Sequence, residues 1–377
     1  GTEGGAPTVL CAHPGNEYDP LWSPDGKHIA FIKEIKGDSF LYRIEMEGNK
    51  PAGQPFLIKE GMQNVDLINW TKNGISYDFS LDIRDIYTLN VQPGTGIQAG
   101  TPRLLDYSPA GYNLCPVWSY DGKHLAFISY NDKPEVVIMP VNGGETRHYT
   151  IPASEFWAPA MHDLRWLPDN SGIGFNLINS MDISTMYHLE LATGNWQTWP
   201  IPVQEWTRTD WGPDGNSFIY TEWGGEEPGI YQFNIKTEET HQIYKPDTAE
   251  AWYSIRGIKY SRDHEKLTFK NKGKGVDVLD LETGECRTIS QACWSPTFSP
   301  DGEKILAFCP YKKENSVTTG VAVLSLDGEI LQQYDIARFF TSGTRIYSPD
   351  WSPDGKQLVF STLFWRMDTY LMKNVLK

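Results

Sequence analysis

Four arginines, Arg208, Arg256, Arg345 and Arg366, stand out because the 377-residue chain is acidic, with a formal net charge of −15. Each lies near an aromatic residue: Trp206, Trp252, Tyr347 and Trp365 respectively. Guanidinium forks pair with carboxylates, and flat rings cover C–H surface, so the combination suits an anionic ligand such as an acidic sugar. Metal chemistry would need several ligands within reach of one another. His13 and His162 could join Glu17, Glu155 or Glu205 around a single divalent ion, but no local spacing supports it. Glycoside hydrolysis would need two carboxylates at a fixed separation. Glu17, Glu155, Glu205 and Asp182 are candidates, and the sequence does not choose between them. No cofactor is expected.

These residues lie between copies of a repeat. WSPDGKHIAF starts at Trp22, WSYDGKHLAF at Trp118, FSPDGEKILAF at Phe298 and WSPDGKQLVF at Trp351. Weaker copies start at Trp70, Trp166, Trp211 and Tyr260, which makes eight. A period of about 48 residues implies stacked supersecondary units. In the third copy, Asn113 to Trp118 reads as a strand ending at the turn Ser119-Tyr120-Asp121-Gly122. His124 to Tyr130 alternates as a half-buried strand does, Glu135 to Val141 is a third strand and Glu145 to Thr150 a fourth. Four antiparallel strands per repeat describe a propeller blade. The expected fold is all-β: one eight-bladed propeller domain over residues 1–377, with seven blades as the runner-up. Pro7 to Ala12 is expected to close the ring as the outer strand of the last blade, which removes open sheet edges. The repeat's own Trp22, Trp118, Trp211 and Trp351 read as packing between blades, and its Asp residues as turn caps.

The acidic balance argues against nucleic acid or an anionic membrane as partner. No apolar run reaches the length of a membrane-spanning helix. Gly1-Thr2-Glu3-Gly4-Gly5 is expected to be a clipped start from which an export signal has been removed. Cys293 and Cys309 fall opposite each other on one hairpin, either as two packed thiols or as a cross-strand disulfide, and the latter would fit an oxidising compartment.

The repeat resembles that of TolB-type propellers, over the whole chain. The resemblance implies a propeller and an envelope setting; the six blades and extra N-terminal domain of TolB itself are not matched, so its role is not carried over. Oligogalacturonate lyase and dipeptidyl peptidase propellers are similar more distantly, but their histidine cluster and G-x-S-x-G motif are absent.

In such a ring the blade-to-blade and B–C loops open on one face, and the short Asp-Gly turns leave the other plain. Function is expected on the loop face. The candidate ligand-binding residues are His13, Glu17, Tyr18, Tyr112, Glu155, Trp157, His162, Glu205, Trp206, Arg208, Trp252, Arg256, Trp294, Arg345, Tyr347, Trp365 and Arg366. Each aromatic among them could equally pack between blades, and each charge could be a solvated ion pair. The expected function is a non-catalytic binding module, periplasmic or extracellular and monomeric, that takes a protein segment or a glycan. The alternative is a lyase or hydrolase acting on an acidic oligosaccharide.

Overall fold

A computed structural model describes residues 9, 16–35, 38–92, 96–97, 100–106, 112–130, 133–153, 161–178, 183–204, 207–222, 227–246, 256–271, 275–313, 316–373 and 375. The chain forms two compact units, Ile83–Phe364 and the pair of segments Gly1–Asp82 and Trp365–Lys377.

The larger unit is a ring of six sheets. Five are consecutive four-stranded antiparallel meanders whose innermost strands are Tyr112–Trp118, Met161–Trp166, Thr209–Trp211, Arg256–Tyr260 and Trp294–Phe298. The sixth has Arg345–Trp351 innermost. Each innermost strand lies beside the next in that order, and Arg345–Trp351 lies beside Tyr112–Trp118, which closes the circle. Apolar side chains fill the spaces between neighbouring sheets. Ala126, Ile128, Val136 and Ile138 pack with Leu164, Trp166, Ile173 and Phe175, and Ile86 and Val359 pack with Trp118, Phe127 and Val137. Each fully buried side chain of this size contributes about 1.5–3 kcal/mol.

The repeat motif does what its residue types imply. Ser23, Ser119, Ser261 and Ser352 donate to Asp25, Asp121, Asp263 and Asp354 at 2.5–2.7 Å, and those carboxylates accept backbone N–H groups two residues on. Trp118 and Trp211 are buried between sheets, but Trp22, expected to pack likewise, is half exposed. Three residues before the motif aromatic, Asp19, Cys115, Ser295 and Ser348 take positive φ. Strand pairing slips there, which is a β-bulge.

The sixth sheet departs from expectation. Six repeats separate their second and third strands with a Gly, Pro or Asn, such as Gly37, Pro134, Asn179, Pro228, Gly273 and Asn315. The repeats starting at Trp70 and Trp351 carry Ser80-Leu81-Asp82-Ile83-Arg84 and Leu363-Phe364-Trp365-Arg366-Met367 instead, with none of the three. Ser80 and Asp82 are compatible with a turn, but the β-prone Ile83, Phe364 and Trp365 favour continued strand. Each chain stretch therefore runs straight, as the 19-residue strand Gly74–Gln92 and the 16-residue strand Gln357–Met372. These two strands pair with each other. The two repeats thereby exchange third strands. In the ring, Arg345–Trp351 pairs with residues 357–364, these with residues 83–92, and these with Arg103–Leu104. Thr362 donates to the Asp85 carbonyl and the Val91 N–H to the Lys356 carbonyl.

The smaller unit holds a four-stranded sheet from Asn16 to Glu60 and a three-stranded one of Val65–Thr71, residues 74–82 and residues 365–372. Thr369 donates to Asp78 across the last pair at 2.6 Å. The ring of the larger unit thus has six sheets where a single ring of eight, or seven, was expected. It is closed by residues 83–104 rather than by Pro7 to Ala12, a stretch that lies outside the described residues except for Val9. No helix is long and apolar enough to cross a membrane among the described residues.

Candidate functional site at the two ends of the ring

The innermost strands end at the motif aromatic, and those ends converge on one cavity of about 100 Å³. Their starts therefore lie together at the opposite end of the ring. Tyr112, Arg256, Trp294 and Arg345 are first residues of innermost strands, Arg208 directly precedes one, and Tyr347 and His162 lie one or two positions inside. The structure thus brings these seven to one mouth, as strand starts rather than as loop residues.

At that mouth Arg84, which is buried, lays its guanidinium over the Tyr112 ring at 5.3 Å, and Tyr130 meets Tyr112 edge-on. Asp85 beside it is half-buried, and that burial raises its carboxyl pKa. The Arg208 N–H is held by the Thr221 hydroxyl at 3.1 Å, while Arg345 is exposed. Trp294 packs against Phe308. For Arg256 and His162 the description extends to strand pairing, opposite Lys270 and Asn176. His13, Glu155, Trp157, Glu205, Trp206, Trp252 and Asp182 lie outside the described residues.

Four of the described candidates belong to the smaller unit, and they are not on loops. Glu17 and Tyr18 lie inside the strand Asn16–Trp22. Glu17 pairs with the buried Lys33 ammonium at 2.9 Å, and Tyr18 packs on the core. Trp365 and Arg366 were expected on a B–C loop but lie inside Gln357–Met372, because that junction does not turn; Arg366 pairs with Asp368 at 2.9 Å.

The turn end, expected to be plain, is the chemically dense one. The residue before each motif aromatic faces the cavity: Val117, Arg165, Asp210, Lys259, Thr297 and Asp350. Two cations and two carboxylates are thus drawn in from four sheets. Arg165 Nε lies 3.6 Å from Asp210, and Lys259 Nζ lies 3.9 Å from Asp350. The carboxylates also tie neighbouring sheets together. Asp210 accepts the Tyr260 N–H at 2.9 Å, and Asp350 accepts the Trp118 N–H at 2.8 Å. Burial pushes the Asp210 carboxyl pKa up, with Arg165 and the two backbone donors opposing. The motif shows these residues plainly once the varying position before its aromatic is read down the copies.

The same reading finds what covers the cavity. Pro168, Pro213, Pro300 and Pro353 occupy the third motif position in four ring sheets, and Tyr120 and Arg262 take it in the other two. Those two sheets face each other across the ring. Arg262 reaches over to stack on the Tyr120 ring at 5.5 Å and donates to the Tyr120 carbonyl. His264 stacks on Tyr120 as well. Burial raises the Tyr120 phenol pKa and lowers the His264 imidazole pKa. The Tyr120–Arg262 contact thus bridges the turn end of the ring.

Cys293 and Cys309 form a disulfide. Among the described residues no three His, Cys, Asp or Glu side chains group closely enough to hold a metal ion.

A family profile described as TolB beta propeller domain matches residues 104–336. Among solved structures, a protein of Agrobacterium tumefaciens assigned to TolB superposes with a TM-score of 0.54 at 18% identity, covering 75% of this chain and 99% of that one. TolB from Acinetobacter baumannii superposes with a TM-score of 0.50 at 14% identity, covering 88% of this chain and 78% of that one. No curated protein sequence is matched.

Proposed function

Since this chain belongs to the TolB beta propeller domain family, a group of binding and protein-interaction modules, we propose that it is an exported recognition protein. In this reading it takes an acidic segment of a partner protein at the ring mouth. The observation that carries the proposal is the entry of Arg208, Arg256 and Arg345 at one end of a ring whose chain is otherwise acidic. Long basic side chains with aromatic neighbours favour a carboxylate-bearing ligand. The bridge of Tyr120 and Arg262 supports approach from the mouth, because it spans the other end. The Cys293–Cys309 disulfide supports an oxidising compartment such as the periplasm or the exterior.

An acidic glycan offers the same carboxylate chemistry, and Tyr112, Trp294 and Tyr347 near the arginines favour that second reading. Titration calorimetry with a glutamate-rich peptide and, separately, with an oligogalacturonate distinguishes the two. The peptide is expected to bind, to weaken with added salt, and to lose at least tenfold in affinity in Arg208→Ala or Arg345→Ala. Binding of the oligogalacturonate alone would move the assignment to a glycan. Binding of neither, or binding that ignores both substitutions, removes the mouth as a site.

A further inference from the structure

The three-stranded sheet of the smaller unit is short of one strand by the rule that every other described sheet obeys. In the ring's sixth sheet, the third strand runs through Asp85-Ile86-Tyr87 and is covered by Arg103–Leu104, with Tyr87 opposite Leu104. The matching residues of the smaller unit are Asp368-Thr369-Tyr370. Among the described residues no strand pairs with their outer edge. An unpaired edge is a template for strand addition.

Two further features indicate what fits there. Trp365, Met367 and Leu371 are alternate residues on one face of that edge strand, 58%, 61% and 48% exposed. On the same face Asp66 and Asp78 stand directly opposite each other on adjacent strands. Like charges so placed repel. Thr369, which bonds Asp78, is the small residue between that carboxylate and the open edge. Val9, the described residue of the chain's opening stretch, is 71% exposed and in no strand. We infer that the edge formed by residues 365–372 is a second recognition site, which accepts an extended segment of a partner protein carrying apolar residues around a Lys or Arg. The incoming strand supplies backbone bonds, covers the apolar row and brings its cation over Thr369 toward Asp78.

The orientation of the edge follows from the ring sheet. There the Ile86 carbonyl accepts from Leu105 N–H, so Ile86 and Thr88 present their backbone groups outward. Thr369 and Leu371 do so here. Leu371→Pro removes one outward N–H without touching the pairing with residues 74–82, since Pro is tolerated on an edge. The test uses the whole chain and a fluorescent synthetic peptide of residues 101–107, Thr-Pro-Arg-Leu-Leu-Asp-Tyr, read by anisotropy. Saturable binding is expected, weakened at least tenfold by Leu371→Pro and by changing the peptide's Arg to Glu. Met367→Ser is expected to weaken binding several-fold and serves if the proline variant melts early. The Leu371 amide should exchange rapidly in the free chain and slow on binding. Absence of binding overturns the inference, as does binding unchanged by Leu371→Pro. Slow exchange in the free chain also overturns it. It assigns the edge to the chain itself if independent of concentration, and to a second copy if it grows with concentration.

Discussion

Replacing Asp210 by Ala tests whether the axial charges hold the ring together. Its carboxylate is 7% exposed, accepts the N–H groups of Trp211 and Tyr260 at 2.9 Å each, and faces Arg165 at 3.6 Å. Removing it leaves buried donors unmet and takes a carboxylate from a guanidinium that is 13% exposed. Breaking a buried ion pair by removing one partner costs about 3–5 kcal/mol. Buried N–H groups left unmet account for about 1–3 kcal/mol of that. In an Arg165→Met background the orphaned charge is absent, so the same substitution should cost only about 1–3 kcal/mol. Asp210→Asn keeps an acceptor oxygen and should fall below Asp210→Ala. Urea denaturation of the natural chain and the four variants, followed by tryptophan fluorescence, measures each difference. A loss under 1 kcal/mol for Asp210→Ala, or the same loss with and without Arg165, refutes the argument that carboxylate and guanidinium stabilise the ring jointly.

Two further outcomes are expected. The Cys293–Cys309 bridge closes a loop with a sequence separation of 16, which corresponds to about 3 kcal/mol from restriction of the unfolded chain. Cys293→Ser with Cys309→Ser should lower the urea stability by roughly that amount, and five reactive thiols in the denatured, unreduced chain would show that no bridge forms. His188 lies between the rings of Trp199 and Trp211, and burial lowers its pKa below the ordinary 6.5, with weaker opposition from Gln197, Glu190 and Asp169. A base that the fold holds neutral favours the folded state above 6.5, and this contribution is lost as pH falls below that value. The urea midpoint should therefore drop more between pH 7.5 and 5.5 in the natural chain than in His188→Leu; equal drops would remove His188 from the explanation.

The repeat was legible because each unit writes its own hairpin. Ser, Asp and Gly at fixed offsets cap the turn wherever they occur, and Phe127, Phe269 and Phe360 fall in the core as the alternation requires. What escaped was negative information. Ser80 to Arg84 and Leu363 to Met367 look like ordinary strand ends, and what sets them apart is that neither carries Gly, Pro or Asn. The exchange of third strands, and with it the six-sheet ring, follows from that absence. The axial charges escaped for a related reason. The constant part of the motif draws the eye past Arg165, Asp210, Lys259 and Asp350, which occupy a position that varies among the copies. The mouth arginines were found by type, but strand register, which composition does not encode, decides which of them share an end.

Closure of the ring by residues 83–104 also sets an order of events during synthesis. This stretch leaves the ribosome ahead of all five ring meanders, whereas its neighbours at residues 357–364 follow all five. Until then Leu89 and Val91 lack Leu358 and Phe360, which complete the apolar cluster around them. A nascent chain therefore cannot shut the circle early. The circle locks only when residues 345–364 join residues 83–92.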